Sequence, residues 1–167
     1  KTRRKDGIAK VTGQELYASD ISLSGMLHAR VLKSPYPHAK VKEIDVSEAE
    51  KLGAVVITYK DVPKVRFCPR LVSTPGATYK DWLVLTDKPL FVGEPVAAVA
   101  AETEGLAQRA LEAIKVEFEP LEPSFDALES MKPGKPLLHE KILLRNEEIE
   151  VKNNIACSLE ITEGDVE

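Results

Sequence analysis

Few side chains in this sequence stand at spacings that could do chemistry, and Glu94 is the foremost of them. It lies in Phe91-Val92-Gly93-Glu94-Pro95-Val96-Ala97. Glycine there gives the backbone freedom that other residues lack, and proline fixes φ and withholds an amide donor. A carboxylate held on so rigid a turn could accept or deliver a proton. The spacing reads as a backbone turn before it reads as a chemical site, so Gly93, Glu94 and Pro95 are candidate turn or interface residues. His28 and His38 could be drawn as a metal pair, yet neither has a glutamate or cysteine at ligand spacing. His139-Glu140 lacks the second histidine of a zinc-peptidase helix and reads as surface. Cys68 and Cys157 form no CxxC pair, which argues against zinc or an iron–sulfur cluster on this chain. The sequence has no GxGxxG fingerprint, no Walker loop and no spacing that recommends a Ser/His/Asp constellation. No residue is therefore assigned a catalytic, cofactor-binding or metal-binding role.

The elements that position the Glu94 turn are clearer than the turn's chemistry. Residues 26–33 alternate, with Leu27, Ala29 and Val31 on one face and His28 and Arg30 on the other, which predicts a half-buried strand with the aliphatic face inward. Ser34-Pro35-Tyr36-Pro37 breaks it, and a second extended segment follows over residues 40–46. Ser47-Glu48-Ala49-Glu50 fits a capping box, so a short helix is expected there, ended by Gly53 and followed by a β-branched strand at residues 54–59. After the Glu94 turn, residues 96–100 read as a strand, Thr103 as the N-cap of a helix reaching Ile114, and residues 115–119 as a strand with Val116 and Phe118 on one face. Strand, helix and strand this closely joined suggest a crossover, right-handed if the strands pair in parallel.

Between these units, residues 60–89 form a long segment punctuated by Pro63, Pro69, Pro75 and Gly76, with residues 82–85 as its best strand. A connection this long is usually a functional or interface loop. Its aromatic residues have no strong local periodicity, which makes Phe67 and Trp82 the further interface candidates, with Pro69, Leu71 and Tyr79 around them. Past Leu121 the sequence turns to Pro, Gly and charge and reads as a connector.

Composition bounds the function. A chain of 167 residues suits one compact domain of roughly 100–150 residues with an appendage. The net charge of −4 comes from interspersed residues of both signs and gives no reason to expect nucleic acid or an acidic membrane surface as partner. No apolar run approaches the ~20 residues of a membrane helix, and the cysteine usage reads as a reduced, cytoplasmic protein.

Several motifs occur together and in order: Lys10-Val11-Thr12-Gly13, Gly25-Met26-Leu27-His28-Ala29, Ser34-Pro35, His38-Ala39, Asp61-Val62-Pro63, Val92-Gly93-Glu94-Pro95-Val96-Ala97 and Val116-Glu117-Phe118-Glu119-Pro120-Leu121. This set resembles the N-terminal α/β hammerhead domain of the large subunit of molybdenum hydroxylases, the xanthine dehydrogenase and aldehyde oxidase family. The resemblance implies an α+β fold with mixed β-sheets and two short-to-medium helices, residues 1–121 forming the hammerhead and residues 122–167 an extended connector toward molybdenum-cofactor domains. Gly164-Asp165-Val166 is similar to the family's element just ahead of the first such domain, so the chain is expected to stop at a domain boundary.

In such enzymes a molybdenum centre on a pterin dinucleotide hydroxylates an electron-poor carbon, and electrons leave through 2Fe–2S clusters, commonly to FAD. The family's cofactor contacts and its general-base glutamate fall in later domains, so the resemblance gives this chain a scaffold role and predicts that alone it is inactive. The expected partners are the downstream cofactor domains of the same subunit and the iron–sulfur and FAD subunits or domains. Two other classes stand beside this reading: a non-catalytic interaction module on the same fold, and a small-ligand regulatory domain.

Overall fold

The computed structural model describes residues 4–69, 79–144, 147–155, 158 and 160–164. Leu71, Pro75, Gly76, Cys157 and the end of the Gly-Asp-Val element lie outside the described residues. Among the described residues three small sheets carry the fold, and each described strand pair is antiparallel. The first has β5 (Pro95–Ala101) at its centre, flanked by β1 (His28–Lys33) and β3 (Val55–Thr58). The second pairs β2 (Ala39–Asp45) with β6 (Lys115–Pro120). The third joins β4 (Tyr79–Lys80), β7 (Lys141–Leu144) and β8 (Glu147–Glu150). Helices α1 (Gly7–Val11), α2 (Ser47–Lys51), α3 (Glu104–Ala113) and α4 (Ala127–Ser130) complete an α+β architecture, with two more short α-helices among the described residues than expected.

The core lies where α3 packs on β1 and β5, with α2 against α3. It is built from small residues: Ala97, Val99 and Ala101 of β5 meet Ala107 and Ala110 of α3, with Ala49, Ala54 and Ile114 closing the cluster. Alanine on both surfaces lets the helix approach the sheet closely, and each fully buried valine adds about 1.5–3 kcal/mol over an exposed one. Thr103 caps α3, its Oγ1 accepting the Leu106 N–H at 3.2 Å.

Four expectations are corrected. In β1 the inward side chains are Arg30 and Leu32, while Ala29 and Val31 face out. The alternation identified which residues share a face, but the face turned to α3 is the one that carries Leu32 into the core, and Arg30 beside it pairs with Glu104 at the start of α3. Ser47 is not the cap of α2: the strand runs on to Asp45, whose Oδ1 accepts the Ser47 N–H at 3.0 Å. Residues 82–85 make no strand, only a single bridge between Trp82 and Phe67. Finally, β5 and β6 do not form a parallel crossover, because α3 delivers the chain to a different sheet, where β6 finds β2. Beyond Pro120, α4 is followed by the β7–β8 hairpin, whose Ile142 is buried together with Val151 just past its end.

Candidate functional site: the Glu94 turn

The turn is defined by backbone. Gly93 has φ +96°, and a Cβ there would meet open space, so conformation and not crowding demands glycine. Its N–H donates to the Ser34 carbonyl at 2.8 Å, and the Ser34 N–H donates to the Glu94 carbonyl at 2.9 Å. Two more bonds lace the preceding loop to β2: Ala39 N–H to the Pro89 carbonyl at 3.0 Å and Val41 N–H to the Asp87 carbonyl at 2.8 Å. Ser34, itself buried, uses its hydroxyl locally, donating to the Tyr36 carbonyl and accepting the Tyr36 N–H. The Ser34-Pro35 and Gly93-Glu94-Pro95 motifs, distant in sequence, are thus two sides of one clasp.

Glu94 is only 6% exposed, and its Oε2 accepts the Leu90 N–H at 2.6 Å. Burial pushes its carboxyl above the usual carboxylate range, while the Leu90 and Phe91 amides and the Arg66 charge pull it back down. The side chain borders a cavity of about 250 Å³ shared with Arg66, Asp81, Lys88, Leu138 and His139. His139 is half-buried instead of lying on the surface as its sequence suggested. Burial lowers its pKa, with Arg66 and Lys88 adding to the effect and Asp81 opposing it. The arrangement is a buried carboxyl and a half-buried imidazole on one mixed-charge cavity. Glu94 spends an oxygen on its own turn, which makes it a structural clasp first. Among the described residues no three His, Cys, Asp or Glu side chains converge as a metal-ligand group.

The structure brings all five singled-out residues into one neighbourhood. Trp82 stacks at a tilt on Phe91, beside Gly93, Glu94 and Pro95, with ring centroids 5.1 Å apart. Phe67 and Trp82 exchange backbone hydrogen bonds of 2.9 and 3.2 Å. Next to them Arg66 Nη1 donates to the Asp81 carbonyl at 3.0 Å. The aromatic residues of this loop therefore pack partly on each other, and Phe67 and Phe91 keep exposed edges. Reasoning from sequence missed Arg66, Asp81, Lys88 and Leu138, which share no spacing; the long punctuated loop was the only signal for the first three, and Leu138 had none. His28 and His38 part company: His28 is exposed on β1, whereas His38 is buried and its Nδ1–H donates to the Glu122 carbonyl at 2.7 Å. Cys68 is a half-buried free thiol.

Comparison with known proteins places this geometry in a family. Residues 12–122 match the family model described as the a/b hammerhead domain of aldehyde oxidase and xanthine dehydrogenase. A probable xanthine dehydrogenase component of Bacillus subtilis is 43% identical over 141 residues, covering 82% of this chain and 18% of that protein. The carbon monoxide dehydrogenase large chain of Afipia carboxidovorans is 34% identical over 146 residues, 85% of this chain and 17% of that one. Among solved structures, the Cu,Mo-CO dehydrogenase superposes with TM-score 0.72 at 31% identity, covering 82% of this chain and 17% of that chain. Quinoline 2-oxidoreductase from Pseudomonas putida 86 gives 0.68, also at 31%, covering 81% of this chain and 18% of that chain. The chain spans about a fifth of the length of the first of these relatives. With the clasp, the α3 core and two thirds of its length accounted for by one family model, the chain belongs to the α/β hammerhead domain family of aldehyde oxidase and xanthine dehydrogenase.

Proposed function

We propose that this chain is the scaffold segment of the large subunit of a molybdenum-dependent hydroxylase, with residues 1–121 as the hammerhead body and residues 122–167 as the connector to the cofactor-holding domains. One observation carries the reading: most of this chain aligns with less than a fifth of a carbon monoxide dehydrogenase large chain. What aligns is held together by backbone hydrogen bonds and an alanine-rich core, as a rigid support requires. The Glu94 cavity does not suit a pterin dinucleotide. It mixes Asp81, Asp87 and Glu94 with its cations, and Lys64 is already paired with Asp87 at 3.3 Å, so a pyrophosphate would meet carboxylates. No chemical step is therefore routed through this chain. The whole enzyme would hydroxylate an electron-poor carbon in the cytoplasm and pass electrons to iron–sulfur and FAD partners, the relatives' names spanning xanthine, nicotinate and carbon monoxide. In this reading the substrate is chosen outside this chain.

The test is to express the complete reading frame with its neighbouring subunits and, separately, the 167-residue chain. The complex should contain molybdenum and hydroxylate at least one aldehyde or N-heterocycle, and the chain alone should do neither. Stoichiometric molybdenum on the isolated chain, or a complete protein without it, overturns the proposal.

A further inference from the structure

Two imidazoles lie on the seam between the hammerhead body and the connector, and neither has a place for a second proton. At the start of the connector the Leu121 N–H donates to the His38 carbonyl at 3.0 Å. The His38 ring answers with its Nδ1–H, which donates to the Glu122 carbonyl at 2.7 Å. A carbonyl can only accept, so the ring proton is fixed on Nδ1 and Nε2 is a bare acceptor. His38 is 3% exposed, and its Nε2 is buried with no hydrogen-bond partner among the described residues. A proton added at Nε2 would be a charged donor facing no acceptor, the costliest kind of unmade hydrogen bond. The charges around it offer no relief. The Glu122 carboxylate is paired with Lys135 at 2.9 Å, and Asp87, on the loop that bonds Ala39 and Val41, is paired with Lys64. Lys40 and Lys88, close by in sequence, have the wrong sign.

Farther along, Leu138 and His139 form the connector's wall of the Glu94 cavity, whose other wall is drawn from residues 64–94. Across it His139 faces two cations, Arg66 and Lys88, and the opposing Asp81. Lys64 is held by Asp87, and Glu94, raised by burial, loses its charge as acid is added. On the connector's own side Glu140 and Lys141 flank the ring, and Lys141 is paired with Glu148 of β8 at 2.6 Å. Burial, Arg66 and Lys88 together outweigh Asp81 and lower the His139 pKa. Its neutral form therefore supports the seam above the unfolded value of about 6.5, and that support is lost as pH falls below it.

We propose that the seam is an acid-operated strap: protonation of His38 and His139 frees the connector from the hammerhead body while the α3 core stays folded. The two sites act in the same direction by independent means, an orphaned donor at one and facing cations at the other. The β4–β7 pairing that also crosses the seam is two residues long, too short to hold the connector without them. No histidine lies in the α3 core, so the same acid leaves it intact. The inference goes beyond the scaffold reading and depends only on the seam.

The test uses the product of the complete reading frame and, beside it, the double variant His38→Asn with His139→Gln. Asparagine puts an amide N–H where Nδ1–H stands, so the bond to the Glu122 carbonyl is kept, and neither new side chain titrates. Hydrogen exchange read by peptide mass spectrometry, corrected for intrinsic exchange, gives the protection of residues 119–125 and 141–144 against residues 97–101 of β5. Acidification from about pH 7.5 to about pH 5.5 should lower the protection of both seam segments about tenfold in the parent and leave β5 within about twofold. In the variant both segments should stay within about twofold. Seam protection that holds in the parent, that falls equally in the variant, or that falls together with β5 overturns the inference. Should the double variant not fold, His139→Gln alone, at a half-buried position, decides the matter. It must abolish the acid loss at residues 141–144, and an undiminished loss there overturns the inference.

Discussion

Gly93 and Glu94 do different jobs in one turn, and the difference is measurable. At φ +96° any side chain with a Cβ is strained, so Gly93→Val should cost about 1–3 kcal/mol in denaturant unfolding even though the space beside it is open. A variant as stable as the parent would show that the turn relaxes. Glu94 carries the opposite sign of expectation. Its folded pKa is raised by burial, so its contribution to stability is complete below the unfolded value of about 4.3 and is lost as pH rises through the folded value. Glu94→Gln keeps an oxygen for the Leu90 N–H and removes that loss. It should melt at or above the parent at pH 7, with the advantage vanishing at pH values below the carboxylate range. A deficit that grows toward neutral pH would mean that the turn uses the charge.

At the scale of elements, the helices test what holds the fold together. In α2 the Asp45 carboxylate does the capping, and the two Ser47 hydrogen bonds depress its pKa. Asp45→Ala should therefore lower the melting temperature more than Glu50→Ala, and the difference should fade as acid protonates Asp45, since a depressed pKa contributes stability that is lost as pH falls through it. Equal losses would restore the capping box. In α3 the alanine face sets the helix-to-sheet distance. Ala107, fully buried against β5, has no room to grow, and Ala107→Leu should cost about 1–3 kcal/mol through overpacking. A neutral Ala107→Leu would reveal slack in a core that the structure packs tightly.

For the whole molecule, the proposed division at residue 121 makes a prediction about proteolysis. Phe125 is 84% exposed on the stretch between β6 and α4, whereas the β7–β8 hairpin pairs with β4 and has Ile142 and Val151 buried beside it. Chymotrypsin should cut first at Phe125, ahead of any site within the hairpin or within β5, α3 and β6. First cleavage inside α3 would place the core elsewhere. First cleavage inside the hairpin would mean that its pairing with β4 is weak.

The sequence by itself determined the family and the local elements of residues 95–120. Residues 95–120 carry their strand, cap, helix and strand in their own periodicity, because each signal there is local: Thr103 meets an amide three residues on, and Ala107 and Ala110 lie on one helical face. The positive-φ glycine at 93 and the donor-free prolines were legible for the same reason. Only the tertiary structure decided which face of β1 is inside, since the alternation does not say which side α3 will cover until β1 pairs with β5 and Leu32 meets the core. It alone decided that β5 and β6 join separate sheets, because pairing is a contest among edges far apart in the chain. The Glu94 cavity belongs to that second class as well. Arg66, Asp81, Lys88 and His139 come from segments with no shared period, and only the closing of the clasp between Ser34 and Gly93 fixes the wall against which they gather.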